Sequence, residues 1–241
     1  MRGFAVALAL LAALPAHSNC RHALALGLDV SGSVDAREYR LQLDGLAAAL
    51  LRPGVQQAFL AFPDAPVRIY VFEWAGSGSQ RLLLDWREIG GAGDLAEAAA
   101  VLNGTGRAAM DPSTAIGEAI AMGAAALGTQ GTCWRRTLDI SGDGKSNSGP
   151  RPRDLPEGGD LAGVTVNGLV IGADPRNASD RRQAEIGELQ AYYHSEVIRG
   201  PGAFTEVALG FEDFEEGMAR KLLKELESLA VTQNGPLPDL R

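Results

Sequence analysis

A carboxylate and two hydroxyls occupy alternate positions in the segment Asp29-x-Ser31-x-Ser33. The segment directly follows an apolar run, residues 23–28, which predicts a buried strand that ends where the polar side chains begin. Carboxylate and hydroxyl oxygens are the ligands that a hard divalent cation such as Mg²⁺ prefers. The three residues therefore form one part of a candidate cation site.

Two further oxygen-bearing residues, Thr114 and Asp143, lie far downstream. Asp143 follows a second predicted strand, and ligands of an open parallel sheet bind in the crevice beyond the carboxyl ends of its strands. Thr114 begins a predicted helix, from which its hydroxyl can project into the same crevice. The candidate ligands, directly or through water, are Asp29, Ser31, Ser33, Thr114 and Asp143.

Each of these signals alone has a simpler interpretation. A turn that contains Ser and Gly is common after a strand, Thr114 could cap the helix that it precedes, and Asp143 between two glycines could form a turn. Asp139 lies inside the second strand, so we interpret it as a structural residue rather than a ligand. The case for a cation site therefore depends on the order of the pieces and on their positions at the ends of elements.

Strands alternate with helices along the rest of the chain. Apolar and β-branched runs predict strands at 23–30, 67–74, 81–86, 137–140, 164–171 and 204–209. Apolar residues at three- and four-residue steps, or runs of small residues, predict helices at 35–51, 94–102, 114–127, 183–198 and 211–229. The alternation predicts an α/β fold with a Rossmann-like, doubly wound, mainly parallel sheet and helices on both faces.

Local signals mark both ends of the first helix. Asp35 and Glu38 have the spacing of a capping box at its start. Pro53 and Gly54 predict its end. Farther on, a Gly- and Ser-rich turn at residues 76–79 predicts that the second and third strands form a hairpin.

The two ends of the chain are predicted to lie outside the folded domain. Residues 1–16 have the positive start, the apolar stretch and the small final residue of a signal peptide. An uncleaved membrane anchor is the alternative, but the apolar stretch is shorter than the roughly 20 residues that a span needs. We expect a domain at 21–230, a flexible tail at 231–241, a periplasmic or secreted location, and no membrane span after signal cleavage.

The chain has two cysteines, Cys20 and Cys133. Cys20 precedes Asp29 by nine residues and Cys133 precedes Asp143 by ten. If the two strands are parallel neighbours whose ends are level at the cation, their starts are level too, and the sulfurs lie close together. We therefore predict a Cys20–Cys133 disulfide, which an oxidising compartment permits. The alternative is two unpaired thiols.

The ordered pieces resemble the metal-ion-dependent adhesion site of von Willebrand factor A (vWA) domains. Residues 23–229 are further similar to a bacterial family of exported vWA-like domains of unknown function. The matching segments are 28–35, 73–74, 114–117, 139–144, 166–169, 192–193 and 200–204. The resemblance implies a six-stranded sheet with one antiparallel edge strand. One departure is a helix expected within residues 154–163, which Pro156, Gly158 and Gly159 interrupt.

These observations favour an exported, metal-ion-dependent protein-binding module of the adhesion or interaction type. Its cation, expected to be Mg²⁺ with Mn²⁺ or Ca²⁺ as alternatives, would receive a carboxylate from a protein partner in place of a water. The net charge of −8, without a cluster of Lys and Arg, argues against nucleic acid or an anionic membrane surface as partner.

Two other function classes stay open. A Mg²⁺-dependent hydrolase or phosphatase-like enzyme is one, because such cations support hydrolytic chemistry. The residues do not favour it: Ser31 stands where an aspartyl phosphatase would use a second carboxylate, and a Gly-x-Ser-x-Gly elbow is missing from the sequence. His22 lies near none of the motifs, and His194 is interpreted as a partly buried structural residue. The other class is a vWA domain that kept the fold without a metal.

Overall fold

The computed structural model of the protein describes residues 20–172 and 180–233, and its strands form one six-stranded sheet. The strands are β1 (Cys20–Asp29), β2 (Val67–Trp74), β3 (Gln80–Ile89), β4 (Cys133–Gly142), β5 (Val164–Ile171) and β6 (Thr205–Ala208). Their order is β3-β2-β1-β4-β5-β6, and every pair is parallel except β2 with the edge strand β3. The predicted doubly wound sheet with one antiparallel edge is therefore confirmed.

Helices cover both faces of this sheet, as predicted. They are α1 (Ala36–Leu51), α2 (Pro53–Leu60), α3 (Ala92–Gly104), α4 (Ile116–Gly128), α5 (Asp180–Tyr192) and α6 (Phe214–Gln233). Leu24, Leu26 and Leu28 of β1 pack against α1, α3 and α6. Ala23 and Ala25 face the opposite cluster, which includes α4. Strand β1 is buried along its whole length because it lies inside a sheet covered on both sides.

Several element boundaries differ from the predicted ones. Pro53 ends α1, as expected, but it also starts α2, because Pro suits the first position of a helix. Helix α5 ends at Tyr192 and continues as a π-helical turn, Tyr193–Val197. The interrupted stretch before β5 forms two short 3₁₀ turns, Pro152–Asp154 and Gly159–Leu161, in place of a helix.

The structure leaves part of the two predicted ends undescribed. The predicted signal peptide, 1–16, lies outside the described residues. Helix α6 continues to Gln233, so it includes the first residues of the predicted tail, and residues 234–241 lie outside the described part. Among the described helices, none combines the length and apolar content that a membrane span needs.

The predicted disulfide is present at the start of the two central strands. Cys20 and Cys133 are partners in the register of β1 and β4, their Cα atoms lie 4.4 Å apart, and their sulfurs are bonded. The level ends of the two parallel strands bring the cysteines together, as the spacing ahead of Asp29 and Asp143 indicated. The alternative of two unpaired thiols is therefore wrong.

Helix α1 begins with the predicted capping box. The Asp35 carboxylate accepts hydrogen bonds from the N–H groups of Arg37 and Glu38, and the Glu38 side chain accepts one from the Asp35 N–H.

We expect Asp35→Ala to lower the free energy of unfolding by about 1 kcal/mol, because two N–H groups of the first turn lose their acceptor. Urea unfolding measures this change. The control is Asp44→Ala, which removes an exposed ion pair with Arg40 on the same helix and should cost about 0.5 kcal/mol or less. Equal losses in the two variants would contradict the capping role.

A cluster of buried charges connects α6 to the sheet. Lys221 is fully buried, and its ammonium contacts Asp139 of β4 and Glu225 one turn along α6. Glu225 also accepts a hydrogen bond from the Asn167 side chain of β5 at 2.6 Å. The interpretation of Asp139 as a structural residue is therefore confirmed, because its charge partner lies in α6 rather than at the candidate cation site.

Candidate metal centre

Three loops meet at the carboxyl ends of β1 and β4. Asp29 ends β1, and the loop from β1 to α1 carries Ser31 and Ser33. The loop before α4 carries Thr114, and the loop after β4 carries Asp143. Backbone hydrogen bonds join the three loops. The Gly32 N–H donates to the Pro112 carbonyl at 2.8 Å, and the Thr114 carbonyl accepts from Asn147 and Ser148 at 2.9 and 3.2 Å. The loop that carries Thr114 is thus bonded to both of the others.

Four of the five candidate ligands form a continuous chain of contacts. The Ser31 N–H donates to Asp29 Oδ1 at 2.8 Å, and the Ser31 and Ser33 hydroxyl oxygens lie 3.3 Å apart. The Ser33 hydroxyl then donates to Asp143 Oδ1 at 2.7 Å. Asp29 and Ser31 are buried, whereas Ser33 is exposed. The chain therefore leads from a buried carboxylate to the surface.

Thr114 is held by its backbone rather than by a capping role. The N-cap residue of α4 is Ala115, and no side chain caps this helix. The Thr114 N–H donates instead to the Asn147 side chain at 2.8 Å, and the residue is almost fully buried. The alternative interpretation of Thr114 as the helix cap is therefore wrong. The Thr114 backbone contacts the loop after β4, and its role as a ligand stays a prediction.

The two carboxyl groups of the site have perturbed electrostatics. Burial, followed by repulsion from Asp143, raises the pKa of Asp29 to about 7, although hydrogen bonds from Ser31 oppose the shift. Burial also raises the pKa of Asp143. Within the described part of the chain, Asp29 Oδ2 is buried without a hydrogen-bond partner. A buried carboxylate oxygen without a donor, in a group with a second carboxyl group and the hydroxyls of Ser31 and Ser33, fits a hard divalent cation.

Hydroxyl groups are essential to this assignment. Across residues 20–172 and 180–233, His, Cys, Asp and Glu side chains do not form any group of three or more that could hold a metal. A cation at this edge would thus have two carboxylates at most and would depend on Ser and Thr oxygens and on water. Such a cation keeps much of its positive charge available to an additional anionic ligand.

Two polar residues support the site, and the sequence analysis did not identify them. Gln42 of α1 is fully buried and donates from its side-chain amide to the Asp29 carbonyl at 2.8 Å. The Ser141 hydroxyl oxygen lies 3.2 Å from both Gln42 Oε1 and the Gly27 carbonyl oxygen, and its single proton donates to one of them at a time. The available signal was a Gln on the apolar face of α1, because a polar side chain there needs a buried partner.

The strand order, the antiparallel edge and the position of the site define a vWA fold, and solved structures agree. The vWF domain of the type V pili tip protein Mfa5 from Porphyromonas gingivalis matches with a TM-score of 0.55 and 10% identity, over 92% of this chain and 99% of that chain. The mussel byssus protein PTMP1 matches with a TM-score of 0.53 and 15% identity, over 88% of this chain and 49% of that chain. At these identities the similarity shows the fold alone.

Two further matched structures differ from this chain in length or in metal content. The pilus adhesin SpaC from Lactobacillus rhamnosus GG matches with a TM-score of 0.53 and 13% identity, over 86% of this chain and 31% of that chain. This chain therefore spans about half the length of PTMP1 and about a third of SpaC. One PTMP1 structure is described as having a zinc-occupied MIDAS motif, and it matches with a TM-score of 0.52 and 15% identity, over 88% of this chain and 48% of that chain.

The chain belongs to the family described as "Protein of unknown function (DUF1194)", whose model matches residues 19–230. No curated protein matches it.

Proposed function

We propose that this protein is an exported, metal-ion-dependent binding module whose divalent cation receives a carboxylate from a protein partner. The observation that carries the proposal is the chain of contacts from buried Asp29 through Ser31 and Ser33 to Asp143. The unpartnered Asp29 Oδ2 adds a further acceptor for a cation. The proposed ligands are Asp29, Ser31, Ser33, Thr114 and Asp143.

The nature of these ligands favours Mg²⁺, with Mn²⁺ or Ca²⁺ as alternatives. Magnesium is a hard cation that takes oxygen ligands and keeps several of its waters. When bound, it would supply a positive centre at the edge of the sheet. The zinc-occupied MIDAS motif in the description of a PTMP1 structure supports a divalent cation in general. It also weighs against the alternative of a metal-free structural domain.

The surface beside the candidate centre supports an acidic partner. Arg107 is exposed, and its guanidinium lies 3.4 Å from the carbonyl oxygen of Val30. Val30 stands in the chain between the proposed ligands Asp29 and Ser31. The same guanidinium lies 5.7 Å from the centre of the Tyr39 ring, which helps to hold it in place. A positive side chain at this edge attracts anionic groups locally, although the protein as a whole carries a charge of −8.

The two described histidines do not support the enzyme alternative. His22 is buried, contacts Thr137 Oγ1 at 2.8 Å, and has a pKa lowered to about 3, first of all by burial. It is therefore neutral at physiological pH. His194 is exposed and contacts Thr205 Oγ1 at 3.0 Å, so its interpretation as a partly buried residue is wrong. Neither contact reaches a proposed ligand, which supports a binding module over a hydrolase.

The proposed location is periplasmic or extracellular. The signal-peptide pattern of residues 1–16 supports export, and so does the disulfide between Cys20 and Cys133, since disulfides persist in oxidising compartments.

Calorimetric titration of the chelator-treated protein with Mg²⁺ tests the proposal. Asp29→Ala is expected to weaken Mg²⁺ binding by roughly 100-fold or more, because a direct ligand contributes more than the outer partners, whose loss costs 10–100-fold. Asp44→Ala, an exposed carboxylate change on α1, is the control and should leave the affinity unchanged.

In a pull-down, partner capture should require Mg²⁺ and fail with Asp29→Ala. Equal Mg²⁺ affinity in wild type and Asp29→Ala would contradict the site, and Asp29-dependent phosphatase or esterase turnover would favour the enzyme.

A further inference from the structure

Tyr193 extends from the π-helical turn after α5 towards Asp29 and the carboxyl end of β4. The residue is fully buried, and its ring packs in the hydrophobic cluster on the α4 face of the sheet. A Cβ atom added to Gly168 of β5 would lie 2.6 Å from Cδ1 of this ring, and one added to Gly142 of β4 would lie 2.6 Å from its hydroxyl oxygen. Two positions without side chains therefore leave the space that the tyrosine occupies.

The Tyr193 hydroxyl and Asp29 Oδ2 line the same space. The Cβ atom added to Gly142, which would lie 2.6 Å from the hydroxyl oxygen, would also lie 2.8 Å from Asp29 Oδ2. Both atoms are buried, and in the described ranges neither has a hydrogen-bond partner. Buried polar atoms without partners cost free energy and are uncommon in folded proteins. Two of them beside each other, one a proton donor and one a carboxylate oxygen, need a common explanation.

We propose that Tyr193 is a positioning residue for Asp29, whose carboxylate it orients by donating a hydrogen bond from its hydroxyl to Oδ2 when a divalent cation is bound. The inference rests on the proposed function, because Asp29 is a proposed ligand of that cation. Oδ1 already accepts the Ser31 N–H at 2.8 Å. A donor on Oδ2 would fix the second oxygen, and hydrogen bonds to ionised acceptors are the strong ones.

Within the described residues the Tyr193 hydroxyl makes no other hydrogen bond, so its proton is available to Asp29 Oδ2. The neighbouring Tyr192 differs, since its hydroxyl accepts the Ser146 N–H at 3.2 Å. Outer partners that orient a metal ligand commonly change metal affinity by 10–100-fold.

The decisive variant is Tyr193→Phe, which keeps the ring and removes only the hydroxyl. We expect Mg²⁺ to bind about 10-fold more weakly or worse, measured by calorimetry on the intact exported protein. In chelator, the melting temperature should be unchanged or higher, because the variant lacks a buried hydroxyl that has no partner. A purely structural role would lower the melting temperature and leave Mg²⁺ affinity as it was. The control is Tyr70→Phe, which removes the hydroxyl of a buried tyrosine whose ring packs against Trp86 of β3, and it should leave Mg²⁺ affinity unchanged.

A second pair of variants tests the same contact from the other side. Gly142→Ala would place a methyl group between the Tyr193 hydroxyl and Asp29 Oδ2, and we expect weaker Mg²⁺ binding. Gly144→Ala, two residues farther along in the loop after β4, meets open space and should bind like the wild type. If wild type binds Mg²⁺ and Tyr193→Phe binds it equally well, the role of Tyr193 is overturned and the proposed function stands. If wild type does not bind a divalent cation, both are overturned.

Discussion

Replacing Lys221 with Met is expected to lower the free energy of unfolding by about 3–5 kcal/mol, because removal of one partner leaves a buried charge uncompensated. The Lys221 side chain is fully buried, and its ammonium contacts the carboxyl groups of Asp139 and Glu225. Both carboxyl groups are buried as well, so water does not replace the lost cation.

Burial and the Lys221 charge act in opposite directions on the two carboxyl groups of the cluster. Burial, and then repulsion from Glu225, raise the pKa of Asp139 well above its usual value. Burial acts against the ionised form of Glu225 too, but the Lys221 charge and the hydrogen bonds with Asp139, Lys221 and Asn167 together outweigh it and hold that pKa below its usual value. Lys221 therefore favours the ionised form of both buried carboxyl groups. Without the ammonium, a negative charge on either group has to take up a proton or stay buried without its partner.

Urea unfolding at neutral pH measures the loss and separates it from ordinary surface effects. The matched control is Lys145→Met, which removes an exposed ion pair with Glu188 and should cost about 1 kcal/mol or less. The double variant Lys221→Met, Glu225→Gln should recover part of the stability, because the uncompensated carboxylate is removed with its partner. If Lys221→Met costs no more than Lys145→Met, the cluster does not contribute the expected electrostatic stabilisation.

Loss of the disulfide is the second large effect that we expect. Replacing Cys20 and Cys133 together with Ser should reduce the unfolding free energy by about 2–5 kcal/mol. The bond joins residues that are 113 positions apart, so it restricts a long loop of the unfolded chain. Both cysteines are buried at the start of the central strands. The double Ser variant would therefore also place two polar hydroxyl groups where apolar sulfur atoms were.

Reductant provides the internal check for the disulfide. Wild type in reductant should unfold at a lower urea concentration, with a steeper dependence on urea because the uncrosslinked unfolded chain exposes more surface. The double Ser variant should not respond to reductant. If its stability equals that of the oxidised wild type, the chain-restriction argument does not apply to this bond.

Much of the fold could be predicted from local patterns. Uniformly apolar segments such as 23–28 indicated strands buried on both faces, and the capping box at Asp35 marked the start of α1. The spacing of Cys20 and Cys133 ahead of two aspartates predicted their pairing, because parallel neighbours with level ends also have level starts. Helix α2 was not predicted, because Pro53 was interpreted only as the end of α1 and it is also the first residue of the next helix.

Part of the candidate site could also be predicted from the sequence. The types and order of Asp29, Ser31, Ser33 and Asp143 indicate a site with oxygen ligands, and the ends of the apolar runs show that Asp29 and Asp143 lie at strand ends. The cation itself stays a prediction that the titrations above address.

Partners that meet across the sheet have no counterpart in sequence patterns. Gln42 beneath Asp29, Lys221 against Asp139, and Tyr193 beside the Asp29 carboxylate join residues between 13 and 164 positions apart. Periodicity reports which face of an element is apolar, but not which side chain of another element lies opposite a given residue. Those pairings follow from strand order and helix packing, which bring distant polar groups into a dry interior where each must find a partner.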